Sequence, residues 1–498
     1  MNFNRRSYVF AMVIIALAPC RGFGTAFAGS TRPNIVYILA DDLAYRDLGC
    51  FGQKHFSTPN IDRLAAEGRV FTNAYAGAAW CAPSRAALLT GRNGRHFGPL
   101  EKDARGRGTK FNPTVAEMLK PAGYANCALG KWHMYEGSDS HLFGKTFDAN
   151  KENINWAQMP WHRGFDVCHI GYCYGYNPHY PDAILSGDSM VRRFPENKNV
   201  DQDYIGQSPK AYAYDARGRF IDRMGVDSTN LCYAEDVYRE AAVAFIRARK
   251  DKPFFLYYAT PLVHGMLAAR ELGKFKDKQD WSTTQKVYAS MVQEIDHSVG
   301  AILDELKRQG VDGNTLVIFT SDNGYAGYTS GSNVKDDPIF QNKGPWNRGK
   351  FNMTNGGHLV PFIARWPGRV PHGETHRAIN FCDFMATAAE LAGTKPPGPT
   401  EGVSFVPLLE GRDNDQPLRK SMIWPKGFKF LQSKGTDAAG ENGKIPDAVL
   451  LDEKWYAVVH ANDVRVFDIL ADPGMKTNLA GQHPGIRARA VEAIVHLR

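Results

Sequence analysis

Residues 34–43 read "NIVYILADDL", an almost unbroken apolar, β-branched run that stops at Asp41 and Asp42. Runs of this kind belong to strands buried on both faces, as in a parallel sheet. The pattern recurs in "TLVIFTSDNG" (315–324), which stops at Asp322 and Asn323, and in "PFFLYYA" (253–259). A fourth such segment lies in "TVAEMLKPAGYANCALGKWH" (114–133), read as a helix, a glycine turn and a strand with Lys131 and His133 at its end.

Helical patterns separate these strands. "PNIDRLAAEG" (59–68) has Pro at its start and Gly at its stop, and further periodic stretches lie near 234–249 and 285–309. The alternation predicts an α/β fold: a mixed, mainly parallel sheet sandwiched by helices. From about 134 to 230 the chain is polar and aromatic-rich without clear period, which predicts long loops. After the Pro/Gly-rich "GTKPPGPTEG" (393–402) the pattern changes. "AVLLDEKWYAVVH" and "DVRVFDIL" alternate like antiparallel strands and precede a terminal helix. The expected organisation is a large domain over 32–410 and a small α+β C-terminal domain over 411–498.

The first residues read as an export signal over 1–28: Arg5 and Arg6, the apolar run "YVFAMVIIALA", then "AFA" ending at Ala28. "NRRSYVF" hints at a twin-arginine signal. The run is too short for a confident membrane span, and Pro19 before Cys20 argues against a lipid anchor there. The expected location is periplasmic or secreted, with no membrane span. Loss of Arg5, Arg6 and Arg21 takes the formal charge from +8 to +5. That excess is scattered, without the basic runs of nucleic-acid binders.

Of eight cysteines, removal of Cys20 leaves an odd number, which implies a free or special thiol in an exported chain. Cys168 and Cys173 could pair or bind metal, but lone buried thiols fit better. The thiol of interest is Cys81, in "CAPSRAALLTGR" (81–92). Pro83 favours a helix starting there and Gly91 marks its end. Arg85 is four residues on, so both can face one side of the first turn. A helix N-terminus attracts anions, and Arg85 would add a fork suited to a tetrahedral oxyanion. A thiol in that position is expected to have a depressed pKa and to be nucleophilic. A small buried residue at a helix start explains the same letters, and local sequence leaves both readings open.

Ligands bind beyond the carboxyl ends of strands in open α/β sheets. Asp41, Asp42, Asp322 and Asn323 together would make an all-oxygen site for a hard cation, Ca²⁺ or Mg²⁺. Each pair alone is also an ordinary turn or cap. Lys131 and His133, two apart, share a face in extended backbone. His264 in "TPLVHG" and Lys350 in "NRGK" lie in loops at strand ends, where an anion-and-proton-transfer role competes with a plain surface one.

Taken together, "NIVYILADDLAYRDLGCFG", "TPNIDRLAAEG", "CAPSRAALLTGR", "GKWH", "PFFLYYATPLVH", "NTLVIFTSDNG", "GGHLVPFIARWPG" and "VFDILADPGMKTNLA" resemble the type I, formylglycine-dependent sulfatases of the alkaline-phosphatase superfamily. Within that family the chain is similar to arylsulfatases and N-acetylgalactosamine-6-sulfatases. The resemblance runs in family order from about residue 32 to 480. It implies an alkaline-phosphatase-like catalytic domain and a sulfated carbohydrate or aryl sulfate as substrate. It also implies a maturation enzyme that oxidises Cys81 to Cα-formylglycine, whose hydrated aldehyde is the nucleophile. Carried over position by position, Asp41, Asp42, Asp322, Asn323 and the matured Cys81 would hold Ca²⁺, ahead of Mg²⁺. Arg85 would hold and activate the nucleophile, Lys131 and Lys350 would grip the sulfate, and His133 and His264 would transfer protons.

Three positions depart from the pattern, and one of them, Ala386 where Pro is usual, is a packing detail. Asn355 and Leu359 stand where relatives carry Glu and Arg, so the pocket wall beside Lys350 is expected to differ. His169, Tyr174, His179 and Tyr180 in "RGFDVCHIGYCYGYNPHYPD" (163–182) are candidate substrate contacts, as are the loops at 325–347. Two other functions fit the same motifs. One is a formylglycine-dependent phosphodiester or phosphonate monoester hydrolase; the other is an unmatured glycan-binding relative.

Overall fold

The computed structural model describes residues 32–96, 100–102, 108–134, 156–172, 179–181, 183–187, 191–197, 213–214, 217, 219–221, 231–265, 267–425, 446–460 and 463–496. The expected export signal, with Cys20, lies outside them. Residues 31–498 form one compact unit.

Ten strands build the main sheet. In chain order they are β1 (Asn34–Ala40), β2 (Arg69–Phe71), β3 (Ala125–Lys131), β4 (Val167–Tyr172), β5 (Ala183–Leu185), β6 (Val191–Arg193), β7 (Phe254–Ala259), β8 (Thr315–Ser321), β9 (Phe362–Arg365) and β10 (Gly373–Thr375). Their order across the sheet is β10-β2-β9-β8-β1-β7-β3-β4-β5-β6. The centre, β8-β1-β7-β3-β4, is parallel throughout, and antiparallel strands extend it on both sides. Every residue of β1, β7 and β8 is buried, as their unbroken apolar runs require. β4, β5 and β6 fall inside the stretch expected to be long loops. They carry the sheet out to the β6 edge, and β5 and β6, three residues each, are too short to show a period-2 signal in sequence.

The principal helices are α1 (Pro59–Ala66), α2 (Cys81–Thr90), α3 (Ala234–Arg249), α4 (Thr283–Arg308), α5 (Asp383–Leu391) and α6 (Pro484–Val495). α1 opens with Pro59 in its first turn. α4 opens with a capping box between Ser282 and Gln285. α2 closes on Gly91, whose φ of 65° is the left-handed C-cap that an L side chain resists. Val36, Ile38 and Ala40 of β1 share one core with α1, α3 and α4. Tyr37, on the opposite face, meets Phe384 of α5 at 4.6 Å between ring centroids. The sheet is therefore covered on both faces.

A separate four-stranded antiparallel sheet comprises β11 (Ser421–Trp424), β12 (Asp447–Leu451), β13 (Trp455–His460) and β14 (Asp463–Asp468) in that order. α6 covers one side of it through Ala490 and Ile494. The other side presents Trp424, Ala448, Tyr456 and Phe467 to Tyr75, Ala78, Trp80 and Met353. This second sheet thus backs the segment that leads into Cys81. The Trp424 indole donates to the Ala76 carbonyl at 2.9 Å. Among the described residues no helix is long and apolar enough to cross a membrane.

Candidate active site

β1 and β8 pair in parallel with Ala40 opposite Ser321, so both acidic pairs leave the sheet at the same level. The Asp42 amide donates to Asp322 Oδ1 at 3.1 Å, and Asn323 Nδ2 donates to Asp42 Oδ1 at 2.7 Å. All four side chains are buried, Asp42 being the most exposed at 1 %.

Three cations converge on these carboxylates. Arg85, fully buried in α2, donates from Nε to Asp322 Oδ2 at 2.9 Å and from Nη1 to the Lys131 carbonyl at 3.1 Å. Its Nη2 lies 2.7 Å from Asp322 Oδ2 and 3.4 Å from Asp41 Oδ1. Lys131 Nζ donates to Asp41 Oδ2 at 2.6 Å, and Lys350 Nζ to Asp42 Oδ2 at 2.7 Å. Burial alone would raise the Asp42 carboxyl, but Lys350, His264 and Lys131 outweigh it and hold it well below the ordinary range. Burial and the neighbouring Asp41 charge push Asp322 the other way, against Arg85.

His264 Nε2 lies 3.7 Å from the same Asp42 Oδ2. Burial, then Lys131 and Lys350, lower its pKa well below that of an ordinary histidine. His133 is lowered likewise by burial, Lys131, Arg85 and His264. At neutral pH both imidazoles are neutral in this setting, able to accept a proton at one nitrogen and donate from the other.

The route by which His133 arrives differs from expectation. Lys131 and His133 do not continue an extended strand: the register shifts at Gly130/Lys131, and His133 has φ of 41°. Gly130 itself has φ of 90°, and a Cβ there would stand 2.0 Å from the Ala259 carbonyl oxygen. The glycine of "GKWH" is what allows the bulge that turns Lys131 onto Asp41.

Cys81 is the first residue of α2 and is 7 % exposed. Its thiol pKa is raised, not depressed as a helix N-terminus suggests: burial dominates over the opposing pull of Lys131 and Lys350. An unmodified Cys81 is therefore a poor thiolate.

The remaining candidates take other places. Tyr180 lies in the main core. His179 is 1 % exposed and packs on Tyr233, its pKa driven down to about 3 by burial. The group that opposes that shift is the backbone of His264, so His179 underlies the His264 loop. His169, half-buried, is hydrogen-bonded to Ser186 at 2.9 Å. Tyr174 and Cys173 fall outside the described residues, and Cys168 is a free buried thiol. Asn355 accepts from the Asn347 amide and donates to the Pro473 carbonyl, and Leu359 joins the core behind Trp80.

Sequence reading missed Tyr328, whose hydroxyl donates to Asp42 Oδ2 at 2.5 Å and whose ring lies edge-on to His264. Its only signal was a tyrosine four residues after "SDNG", inside the 325–347 loops. It also missed Asp47, Glu235 and Thr260, single letters inside a loop, a helix and a strand end.

Asp41, Asp42, Asp322 and Asn323 offer a metal oxygen donors here. Asp41 Oδ1 and Asn323 Oδ1 are buried and accept no hydrogen bond, which fits a hard cation better than a closed hydrogen-bond network. Asp41, Asp42 and His264 can bring one ligand atom each within 4.8 Å of one another.

A family model described as Sulfatase matches residues 33–394. The chain belongs to the sulfatase family. This sulfatase, a sulfuric ester hydrolase, is 33 % identical over 420 residues to N-acetylgalactosamine-6-sulfatase of Rattus norvegicus, spanning 79 % of this chain and 69 % of that protein. It is 28 % identical over 510 residues to N-acetylgalactosamine-6-O-sulfatase of Bacteroides thetaiotaomicron, spanning 92 % and 91 %. The crystal structure of Ps i-CgsB in complex with k-i-k-neocarrahexaose superposes with a TM-score of 0.69 at 25 % identity, covering 94 % of this chain and 93 % of that one.

Proposed function

We propose that this sulfatase removes sulfate from a sulfated saccharide outside the cytoplasm, with formylglycine made from Cys81 and a bound Ca²⁺. The observation that carries the reading is the buried cluster of Asp41, Asp42, Asp322 and Asn323 interleaved with Arg85, Lys131 and Lys350 beside Cys81. Ca²⁺ at the four oxygen ligands would neutralise sulfate oxygens, and formylglycine at position 81 would supply the attacking hydroxyl. The low intrinsic acidity of the Cys81 thiol supports a role other than thiolate attack.

The remaining groups have roles set by charge. A sulfate ester is anionic and repels an incoming oxygen nucleophile until its oxygens are neutralised. Lys131 and Lys350 supply that neutralisation from opposite carboxylates. Arg85, pinned by Asp322 and by the Lys131 carbonyl, holds the residue-81 side chain at the start of α2. Once the anionic ester offsets Lys131 and Lys350 and the His264 ring takes up a proton, that imidazolium hands it to the departing alcohol oxygen and returns to neutral imidazole, with Lys350 beside it. His133 takes a proton from the residue-81 side chain so that sulfate can leave.

The relatives named for N-acetylgalactosamine 6-sulfate make that saccharide the first to test. The experiment is sulfate release from a panel of defined sulfated saccharides and from nitrophenyl sulfate, with Cys81→Ala as the blank. Mass spectrometry of the peptide spanning residue 81 should show sulfur replaced by an aldehyde. Faster turnover of a phosphate diester, or an intact thiol in an active preparation, would overturn the reading.

A further inference from the structure

Glu235 lies at the start of α3, 1 % exposed, on the face of the sheet opposite Phe384. It receives three hydroxyl donors: Tyr258 at 2.7 Å, Thr260 at 2.6 Å and Ser298 at 2.7 Å. These come from β7, from the loop after it and from α4, so a single carboxyl ties three elements together. The nearest cation that influences it, Arg239, is engaged with Asp236 and Glu294.

Thr260 begins the loop that carries His264. When Glu235 is ionised it only accepts, so the single Thr260 proton then goes to it. That leaves the Thr260 oxygen free to accept, and it does so from the Leu262 amide at 3.2 Å. The loop is then stitched sideways to β1. The Asp41 amide donates to the Leu262 carbonyl at 2.8 Å, and the Val263 amide to the Asp41 carbonyl at 2.7 Å. The His264 amide closes back on the Pro261 carbonyl at 3.0 Å. Hydrogen bonds therefore run from Glu235 through Thr260 to the Leu262 amide, and the same loop, held to Asp41 at Leu262 and Val263, carries His264 two residues further on.

We propose that Glu235, acting through Thr260, is a positioning residue that aims the His264 ring at the departing alcohol oxygen. This rests on the reading of His264 as the proton donor. A nitrophenolate leaves without help, whereas a sugar alkoxide must be protonated as the S–O bond breaks. A mispositioned His264 therefore penalises poor leaving groups and spares good ones. Loss of a merely structural group lowers both alike.

The test is kcat/KM on a series of aryl sulfates of falling leaving-group acidity, with a sulfated saccharide at the poor end. Wild type, Thr260→Val, Thr260→Ser and Glu235→Gln are compared, with melting temperatures alongside. Thr260→Val keeps the volume but not the hydroxyl. It should lose about tenfold or more on the saccharide and less than about threefold on nitrophenyl sulfate. Thr260→Ser, which keeps the hydroxyl, should stay within about threefold of wild type on both. Glu235→Gln provides the same slope independently should Thr260→Val not fold. Equal losses across the series, or none, would overturn the proposal. A wild-type protein that cleaves no sulfate ester would instead overturn the functional reading beneath it.

Discussion

The sheet buries carboxyl groups in two contrasting ways. Beyond the carboxyl ends of β1 and β8, Asp41, Asp42 and Asp322 are matched by Arg85, Lys131 and Lys350. On the flanks, Asp47 and Glu235 are matched by neutral donors alone. Asp47 receives the Ala44 amide, the Tyr288 hydroxyl and the Asn342 amide, and Glu235 its three hydroxyls. The pKa values follow the partners only in part. Asp42 is held below the ordinary range by its cations and Asp322 is raised to about 6 by burial and Asp41 despite Arg85, whereas burial pushes Asp47 and Glu235, which have no such cation, up to about 7. Charge matched by charge leaves ionised groups poised to handle an anion. Charge matched by hydroxyls gives rigid posts whose ionisation is costly.

The sharpest separation of the two removes the reacting atom. Cys81→Ala should abolish sulfate release, by about 10³-fold or more, while the melting temperature moves little, since one small side chain is lost. Saccharide turnover and a thermal melt on the same preparation check it; residual activity above that level would break the assignment of position 81.

Next in size is the charge balance itself. Arg85→Met leaves Asp322 buried without its principal cation, at a cost of about 3–5 kcal/mol in unfolding free energy. Adding Asp322→Asn should recover part of that loss without restoring activity. Denaturant unfolding of the two single variants and the double closes the cycle. If the two effects simply add, the charged cluster is not the coupled unit described above.

Much of this was legible in the sequence because it lay at the ends of strong signals. The runs of β1, β7 and β8 stop where the acidic pairs and the His264 loop begin, and Gly91 marks the end of α2. What stayed hidden depended on pairing between distant segments. Burial of His179 and Tyr180 is set by α3 packing across them, which no local period encodes. The raised Cys81 pKa reflects desolvation by the whole fold, where the local letters suggested only a helix dipole. Asp47 and Glu235 carried no local signal because most of their hydroxyl and amide donors come from residues far along the chain.

The flanking carboxyls make a pH prediction. A carboxyl whose folded pKa is raised binds its proton more tightly when folded, so its contribution is present below its unfolded pKa and is lost as pH rises through the folded value. Asp47 and Glu235 should both weaken the fold as pH rises from about 4 through about 7. Asp47→Asn should remove part of that slope and be more stable than wild type at pH 8, on the order of 1–3 kcal/mol. The amide is accommodated because Asn342 Oδ1 is buried without a hydrogen bond and can face the new NH₂ after an amide flip. The Asp337 charge nearby adds to the penalty on ionised Asp47 and none to the amide. Melts from pH 4 to 8 check it; parallel curves for variant and wild type would remove Asp47 from the account.

The smallest effect tests the hydroxyl posts one donor at a time. The Ser298 hydroxyl favours the ionised form of Glu235, so Ser298→Ala raises that pKa further. Below pH 5 the native carboxyl is already protonated, and loss of one donor costs little. At pH 8 the carboxyl must ionise with two hydroxyls in place of three, and the cost should approach about 1 kcal/mol. The penalty therefore grows with pH, whereas a simple packing defect costs the same at every pH. Ser298 touches neither Asp41 nor His264 directly, so nitrophenyl sulfate turnover should hold within about twofold of wild type while stability at pH 8 falls. A penalty that is flat across pH would mean that the three hydroxyls around Glu235 serve packing alone, and the contrast between the two kinds of buried carboxyl would lose its energetic basis.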